Sequence, residues 1–399
     1  MTSSNTLINP SIIAKEGLRI IRNNMVAGNL VHREYVEEFG KKVGDTITIR
    51  KPNKFTATPN ATRSNQNVVE PSTTMVINYR YHVSWAFTSK ELTLTVDEYS
   101  KRYIAPAMNT LADQVDLAVL SYGQKFYNTV GTPGTVPSAF STLGDAATKL
   151  DNEGAPTDDR STVLNPAANW TMADALKGLL NADMARDFVR KGKLGSLAGT
   201  DVYMGQNVAR ATLGPRGGTP LVNGGSQTGT SLITDGWTAA AATRVAVGDV
   251  FTIANVYAVN PVNQASTGQL RQFVVVSGST VASDGSGNLT MTISPAITTS
   301  GAYQTVNAGP ADNAALTFLG TASTAYAANL MFHRNAIGLA ILPLDLPDGA
   351  SFKSRATYDG VSVRVVKDYD IDNDEDIIRM DILFGVKELY PEHGVRIAG

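Results

Sequence analysis

The residues best suited to bind a metal ion are widely separated along this 399-residue chain. The sequence has four histidines, at His32, His82, His333 and His393, and no cysteine. Zinc sites usually take their ligands from closely spaced pairs, such as the two histidines of H-E-x-x-H or a C-x-x-C turn. No such pair occurs in the sequence, so we expect no metal site and no bound cofactor.

An acidic run, DYDIDNDED from Asp368 to Asp376, superficially resembles a calcium-binding loop. Its alternating aspartates include Asp370, Asp372 and Asp374. A calcium loop that started at Asp368 would need Gly at its sixth position and Glu at its twelfth, where this chain has Asn373 and Arg379. Two interpretations stay open at this point, a solvated hairpin turn and weak binding of a divalent cation.

The motifs of common catalytic centres are also missing from the sequence. There is no G-x-S-x-G nucleophile elbow, no G-x-x-x-x-G-K-[ST] phosphate loop and no G-x-G-x-x-G after a predicted strand. Without cysteine there is no thiolate nucleophile. We therefore predict a protein without enzymatic activity. A hydrolase hidden in the β-rich part of the chain is a possibility that no motif supports.

The charge balance argues against a dedicated binder of polyanions. The formal net charge is −2 and 18% of the residues are charged. A basic cluster does occur near the C-terminal end of a helix predicted from Thr171 to about Gly192; it contains Arg186, Arg190, Lys191 and Lys193. Such a cluster could contact nucleic acid, but cations at this position commonly offset the helix dipole.

The N-terminal region predicts a helix followed by a long β-hairpin. The helix begins at Asn9 and Pro10 and ends near Gly28. Farther on, every odd position from Met75 to Phe87 is apolar or aromatic, as in a strand with one buried face. These positions would span about 40 Å, about twice the length of a common strand. A long β-hairpin with a polar tip cannot bury its far end in its own domain. It is either an arm that lies on a partner or, with its Thr/Asn/Pro-rich tip, a flexible surface loop.

A long helix is predicted from Val96 to Tyr127, preceded by two capping-box patterns between residues 88 and 98. Its apolar residues recur every three or four positions and are Ile104, Met108, Leu111, Val115, Val119, Tyr122 and Phe126. The helix would measure about 45 Å. Pro106 should kink it, or mark its true start.

The second half of the sequence predicts an α/β segment, a β-rich insertion and a final hairpin. Thr162–Leu164 is a short strand before the helix that Thr171 caps. Between residues 214 and 328, short apolar runs that begin at Val250, Phe273 and Leu289 alternate with turn clusters, as in a small all-β barrel or sandwich. Two strands, Val361–Val366 and Ile377–Leu383, flank the acidic run.

The N-terminus has no uninterrupted apolar segment of the kind found in signal peptides, and no stretch reaches the ~20 apolar residues of a membrane-spanning helix. The absence of cysteine suits a reducing compartment. We expect a soluble protein that stays in the compartment where it is made.

Eight stretches, in order along nearly the whole chain, resemble the P22-type major coat proteins of tailed bacteriophages, which have the HK97-like capsid fold. They are LVHREY (30–35), VGDTITIRKP (43–52), FTSKELTLTVDEYSKRYIAPAM (87–108), VLNPAANW (163–170), DVYMGQNV (201–208), FTIANVYAVNP (251–261), STGQLRQFVV (266–275) and ATYDGVSVRVVKDYDIDND (356–374). Each stretch alone is weak evidence for the resemblance, but all eight together, in the order that the family has, are highly specific.

The resemblance implies an α+β fold of the HK97-like type with six segments. These are an N-terminal arm (1–46), an extended β-hairpin loop (47–85), a spine helix with peripheral domain (86–130), an axial domain with flanking peripheral elements (131–213), an inserted β-barrel domain (214–328) and a return to the axial and peripheral domains (329–399).

The function that the resemblance implies is that of a major capsid protein. Members of the family assemble with a scaffolding protein into an icosahedral procapsid of hexamers and pentamers, in which a portal protein replaces one vertex. DNA packaging then expands the shell. We accordingly expect assembly in the bacterial cytoplasm, location in the virion, non-specific contact with double-stranded DNA and no membrane partner.

Contacts between subunits are predicted at two places. The family's inserted domain carries a loop that contacts a neighbouring subunit, for which Ser231–Arg244 is the candidate, with Asp235 and Arg244 as its polar residues. In the extended loop, the cations Arg50, Lys51, Lys54 and Arg63 accompany a single acidic residue, Glu70. This loop suits docking on an acidic surface of a neighbouring subunit, for which Asp370, Asp372 and Asp374 are candidates. The alternative is that the loop cations and these aspartates are two separate solvated patches.

One alternative comes from a different class of protein. The Thr/Asn/Gly-rich insertion would also suit a secreted or surface β-rich binding module without catalytic activity. The lack of a signal peptide and the long predicted helix argue against it.

Overall fold

The computed structural model describes residues 10–36, 39, 44–57, 63, 65–68, 70–88, 103–176, 194–276, 278–358 and 360–398. The chain divides into two compact units. The first unit consists of Met1–Ile49, Thr73–Val119 and Ile337–Lys387, and the second of Arg50–Ser72, Leu120–Ala336 and Glu388–Gly399. Each unit therefore gathers segments that are distant in sequence.

The helices of the described residues range from 4 to 17 residues in length. They are α1 (Pro10–Asn24), α2 (Ala27–Leu30), α3 (Ala105–Ser121), α4 (Phe140–Asn152) and α5 (Pro166–Leu176). Short 3₁₀ turns occupy Tyr122–Lys125, Arg334–Ala336 and Pro391–His393. In this part of the chain, no helix combines the length and the apolar character needed to cross a bilayer.

Strands make up most of the regular structure. In chain order they are β1 (Thr46–Arg50), β2 (Ser72–Val76), β3 (Tyr79–Thr88), β4 (Asn128–Val130), β5 (Arg160–Leu164), β6 (Ser196–Leu197), β7 (Thr200–Met204), β8 (Arg210–Thr212), β9 (Gly218–Val222), β10 (Gly229–Trp237), β11 (Ala242–Thr243), β12 (Val250–Val259), β13 (Ser266–Val275), β14 (Ala282–Ser283), β15 (Leu289–Ile297), β16 (Leu316–Phe318), β17 (Ala325–Ala327), β18 (Asn329–His333), β19 (Ile337–Leu342), β20 (Phe352–Tyr358), β21 (Val361–Asp370), β22 (Glu375–Glu388) and β23 (Gly394–Ile397).

The first unit is built on a five-stranded sheet. β22 pairs with β21 on one side and with β3 on the other, and β20 extends the sheet beyond β21. The buried carboxylate of Asp381 on β22 joins these strands through ion pairs, at 2.7 Å from Arg364 on β21 and 4.0 Å from Arg80 on β3. It also lies 2.8 Å from Arg379 on its own strand. The predicted strands on either side of the acidic run are confirmed as the antiparallel pair β21–β22.

Helix α3 packs through the apolar stripe that its sequence predicted. The residues at helical spacing from Ile104 to Val119 are buried, and Met108 contacts α1 where Gly17 leaves room for its thioether. The described helix begins one residue before Pro106, after a π-type turn at Tyr103–Ile104. The predicted start at Val96 lies outside the described residues. The predicted end at Tyr127 is wrong, because Phe126 and Tyr127 leave the helix in extended conformation toward β4.

The predicted single strand from Met75 to Phe87 is two strands with different partners. β2 pairs with β1, whereas β3 pairs with β22 over ten residues from Tyr79 to Thr88. The far end of the predicted hairpin, at its Thr/Asn/Pro-rich tip, lies partly outside the described residues, so its lack of burial stays a prediction. The first helix also ends earlier than predicted, at Asn24, and Gly28 lies in the separate helix α2.

The second unit contains a six-stranded mixed sheet in the order β4-β23-β18-β5-β7-β6. Residues of α4 and α5 pack against it, and the core between them includes Leu150, Met172 and Val395. The predicted strand at Thr162–Leu164 is confirmed within β5. Thr171 is not a helix cap: α5 begins at Pro166, where the Asn165 side chain accepts the Ala168 N–H at 3.0 Å.

The β-rich insertion forms a barrel in the order β16-β12-β13-β15-β10-β9. Its ends meet, because Leu221 bridges to Ala315 and the Val222 N–H donates to the Ala314 carbonyl at 2.9 Å. Aromatic residues fill its core, among them Trp237, Phe251 and Phe273. The predicted apolar runs lie in β12, β13 and β15. The prediction of a small all-β barrel is thus confirmed.

Candidate assembly interface

The loop between β1 and β2 is closed at its base by polar contacts. Nη1 of Arg50 lies 3.3 Å from Oε2 of Glu70, and the Lys51 N–H donates to the Pro71 carbonyl at 2.8 Å. The Arg50 and Glu70 side chains are 79% and 58% exposed, so their ion pair adds little to stability. It does join the two ends of the loop.

Further contacts hold the first half of the loop on the second unit. The Lys51 ammonium lies 4.9 Å from the ring centroid of Tyr390, and the Lys54 N–H donates to the Tyr303 hydroxyl at 3.2 Å. Across the loop, the Thr56 N–H donates to Oε1 of Gln66 at 2.9 Å, and the Gln66 amide donates back to the Thr56 carbonyl. The four predicted cations are therefore not one cluster, and Arg63 stands apart from these contacts as an exposed residue.

The predicted contact segment Ser231–Arg244 is mostly strand. Residues up to Trp237 belong to β10, where the half-buried Asp235 pairs with Leu221 of β9. Arg244 is buried, and its guanidinium donates to Oγ of Ser283 at 3.0 Å and to the Thr238 carbonyl at 2.9 Å. Both Asp235 and Arg244 stay predictions as contacts between subunits, and within one subunit Arg244 is held inside its own barrel.

The acidic run forms the hairpin turn between β21 and β22. Asp370 accepts the Asp372 N–H at 3.0 Å and the Asn373 amide at 2.8 Å, and these bonds lower the pKa of Asp370. The Tyr369 hydroxyl donates to Asp374 at 2.7 Å, which raises the pKa of Tyr369. The interpretation as a solvated hairpin turn is confirmed. Over the described ranges, no three His, Asp or Glu side chains are grouped as a metal ion would require.

Two of the four histidines come together in the second unit. The rings of His333 and His393 lie 5.8 Å apart, edge to face. Burial lowers the pKa of both, and that of His393 falls to about 4. The basic cluster at residues 186–193 lies outside the described residues.

A buried ion pair that the sequence did not predict joins α4 to the barrel. Nη1 of Arg271 on β13 lies 2.5 Å from Oε1 of Glu153, directly after α4, and both side chains are largely buried. The Tyr127 hydroxyl bonds Glu153 at 3.3 Å, and the Arg271 guanidinium lies 4.6 Å from the Tyr127 ring centroid. Burial, together with the charge of Glu153, raises the pKa of Tyr127 well above its usual value.

Gln272 extends this contact. Its amide oxygen accepts the Thr129 N–H at 2.8 Å and the Lys149 ammonium at 2.7 Å, and its amide nitrogen donates to the Thr129 carbonyl. Burial lowers the pKa of Lys149 to about 8. One residue of β13 thus continues the hydrogen bonding of β4, which fixes the barrel on the rest of the unit.

A cavity of about 250 Å³ borders the Arg271–Glu153 pair. Its lining includes Tyr303, Pro391 and Lys54. Lys54, one of the predicted loop cations, therefore lies beside a polar network of its own unit.

The sequence model of one family, described as P22 coat protein - gene protein 5, matches residues 1–399. The chain belongs to the P22 coat protein family. No curated protein matches the sequence.

Solved structures extend the comparison. That of Mycobacterium phage Che8 aligns with a TM-score of 0.50 at 12% identity, over 94% of this chain and 90% of that one. The capsid of Ralstonia phage GP4 aligns with a TM-score of 0.46 at 10% identity, over 89% of this chain and 83% of that one. The CUS-3 coat protein I-domain is 28% identical over 25% of this chain and 95% of its own, with a TM-score of 0.19. The predicted HK97-like α+β fold is confirmed.

Family membership settles the broad role of the chain. It is a bacteriophage major capsid protein, part of the virion shell, and it acts as an assembly of many copies. The family is a structural one, and a family match over the whole length accounts for the helices as well as the β insertion. A secreted or surface β-rich binding module would account only for the insertion.

Proposed function

We propose that this coat protein assembles with a scaffolding protein into an icosahedral procapsid in the cytoplasm of its bacterial host. A portal protein occupies one vertex, and the shell expands as double-stranded DNA enters. The observation that carries the proposal is the match of the P22 coat protein family to residues 1–399.

The physical character of the chain supports this role. Each contact between subunits can be weak, because every copy makes several and the contacts reinforce one another. The formal net charge of −2 suits a container that touches DNA without reading its sequence. Dedicated DNA-binding proteins instead carry a strong basic surface, because release of counterions from phosphates drives their binding.

The loop at residues 50–72 is the proposed contact with a neighbouring subunit. It has no regular secondary structure at residues 51–57 and 65–68, and most of its described residues are exposed. The Arg50–Glu70 pair and the bond from the Lys51 N–H to the Pro71 carbonyl hold its two ends together. In this proposal the six segments from the N-terminal arm (1–46) to the return (329–399) keep the roles that the family gives them.

Assembly is tested with the full chain, expressed alone and together with the scaffolding protein of its phage. Sedimentation and negative-stain microscopy should show closed shells in the presence of the scaffolding protein and irregular or no particles in its absence. Closed, uniform shells from the coat protein alone would remove the scaffolding requirement. A chain that stays monomeric in both cases would contradict the proposal.

The loop is tested by replacing Pro52–Pro71 with a Gly/Ser segment of equal length. The subunit should still fold, because none of the described residues of this segment is buried, but it should form fewer or less stable shells. A control that changes only Arg63 to Ser separates the charge of the loop from its shape. Normal yield and stability of shells from the Gly/Ser variant would rule out the loop as an assembly contact.

A further inference from the structure

A groove runs between helix α1 and strand β20 in the first unit. Its volume is about 530 Å³, large enough for a side chain and the turn that carries it. The buried residues Leu18 and Ala356 lie in its lining, as does the aromatic ring of Tyr358. Because β20 is the last strand of the sheet, no further strand of the described first unit covers this side.

The rim of the groove is cationic. Lys15, Arg19 and Arg22 recur at positions i, i+4 and i+7 of α1, so they project from one face of the helix along the groove. Arg22 lies over the Tyr358 ring at 4.9 Å, and Arg19 bonds the neighbouring carboxylate of Glu16 at 2.6 Å. The groove therefore offers an apolar floor with an excess of positive charge at its edge.

The hairpin turn at residues 368–376 has the complementary chemistry. It carries six acidic residues and no basic one, and at its tip Ile371 is 81% exposed. Tyr369 beside it is also exposed. In such a groove the Ile371 side chain would be removed from water, which is favourable, and the carboxylates around it would lie near cations.

The turn cannot reach the groove of its own chain. Ala356, in the groove, pairs with Val363 of β21, and Ile371 follows eight residues later in the same hairpin. At about 3.3 Å per residue the tip lies roughly 26 Å from its own groove. The strand pairs from Arg364 to Asp370 hold it there.

We propose that the acidic hairpin turn of one subunit inserts Ile371 into the α1–β20 groove of a second copy. The contact is head to tail, because each copy has one turn and one groove on different parts of its surface. Contacts of this kind generate rings when the rotation closes. The proposal rests on the proposed capsid function only because it requires several copies of the chain. In this proposal the acidic turn binds the α1–β20 groove and not the cations of the loop.

The groove matches the turn better than the loop does. The Lys51 ammonium of the loop already lies over the Tyr390 ring of its own unit, and Arg50 pairs with Glu70. Packaged DNA is a weaker candidate for the groove, because phosphates do not require an apolar floor.

Disulfide trapping tests the contact directly, because the chain has no cysteine of its own. Tyr358→Cys with Ile371→Cys places one thiol in the groove and one on the tip. Oxidised particles of this variant should give a ladder of multimers on a non-reducing gel, since each head-to-tail link leaves further thiols free. The matched pair Arg63→Cys with Ile371→Cys should give none.

Three outcomes would overturn the proposal. A ladder from the Arg63 pair alone would assign the turn to the loop, dimers from Ile371→Cys alone would mean that tips meet tips, and particles without any cross-link would exclude the contact. In the last case the proposed function still stands. Failure of the unaltered chain to form particles would instead contradict the proposed function.

Charge exchange gives an independent readout. Lys15→Glu and Asp372→Lys should each raise the subunit concentration at half-assembly, and the double variant should recover part of the loss. Ile371→Ser should raise it about tenfold, as expected for loss of one buried aliphatic side chain. Val262→Ser, at another exposed turn where the side chain is 80% exposed, is the matched control and should have no effect. Equal effects of both serine variants, or lower DNA retention by Lys15→Glu with unchanged assembly, would contradict the proposal.

Discussion

Asp116 is a buried carboxylate that should make the first unit more stable in mild acid. It lies on the buried face of α3, where its two oxygens accept the Val26 N–H at 2.7 Å and the Gly28 N–H at 2.9 Å. These bonds anchor the junction of α1 and α2 and favour the charged carboxylate. Burial acts in the opposite direction and is the larger effect, so it raises the pKa of Asp116 to about 6.

The sign of the pH dependence follows from this direction. The pKa in the folded protein is higher than the ordinary value of 3.8, so folding favours the protonated acid. Its contribution is fully present below about pH 3.8 and is lost as the pH rises through 6. A difference of about two pH units corresponds to about 3 kcal/mol of unfolding free energy.

Asp116→Asn removes this titration. An asparagine has only one acceptor oxygen, so one of the two N–H groups loses its partner, at a cost of about 1 kcal/mol that does not depend on pH. The stability of the wild type minus that of the variant should therefore fall by about 2.5 kcal/mol between pH 4 and pH 7. Urea denaturation of the unassembled subunit, followed by hydrogen exchange in peptides from residues 10–36 and 103–119, measures this difference.

Asp113→Asn is the control on the same helix. Asp113 is exposed, and its charge contributes to raising the pKa of Asp116, so the control should keep the slope and move its midpoint slightly to lower pH. A flat difference profile for Asp116→Asn would refute the reasoning. A profile that rises with pH would mean that the two N–H bonds outweigh burial.

Two further predictions concern the second unit. Glu153→Ala should lower the unfolding free energy by about 3 kcal/mol, because it leaves the Arg271 guanidinium buried without its partner; adding Arg271→Met should restore most of the loss in urea denaturation. His393→Asn should flatten the acid side of the profile of stability against pH. Because the pKa of His393 is lowered, the stability due to His393 is present above pH 6.5 and is lost, by about 2–3 kcal/mol, as the pH falls toward 4. Hydrogen exchange of peptides near residue 393 can follow this loss. If the Glu153/Arg271 double variant recovered no stability, the first argument would be contradicted. If His393→Asn lost stability in acid as the wild type does, the second would be.

The alternating pattern predicted strand faces well and strand partners poorly. From Met75 to Phe87 the alternation continues through the break at residues 77–78, because both β2 and β3 turn the same side of the chain inward. The pattern records which face is buried, and it contains no information on whether β1 or β22 lies alongside. The hairpin β21–β22 was predictable because its two strands are adjacent in sequence.

Buried charges were the main features that sequence reasoning missed. Arg244 and Arg271 look like surface residues in the sequence, since charged side chains are seldom buried. Each is buried because a partner distant in the chain meets it, namely Ser283 for Arg244 and Glu153 for Arg271. Only the tertiary fold brings these partners together, so local periodicity and spacing could not predict them.

The place of β23 in its sheet sets a limit on when the coat protein can fold during synthesis. This strand lies between β4 and β18 and pairs with both, yet it follows β4 by more than 260 residues. At about 5–20 residues per second, the ribosome needs roughly 15–50 s to pass from one to the other. Until residue 397 has emerged, β18 lacks one of its two neighbours and β4 has no neighbour of its own sheet. Nascent chains on one messenger therefore cannot offer a finished second unit to each other before β23 has emerged, which delays their polymerisation.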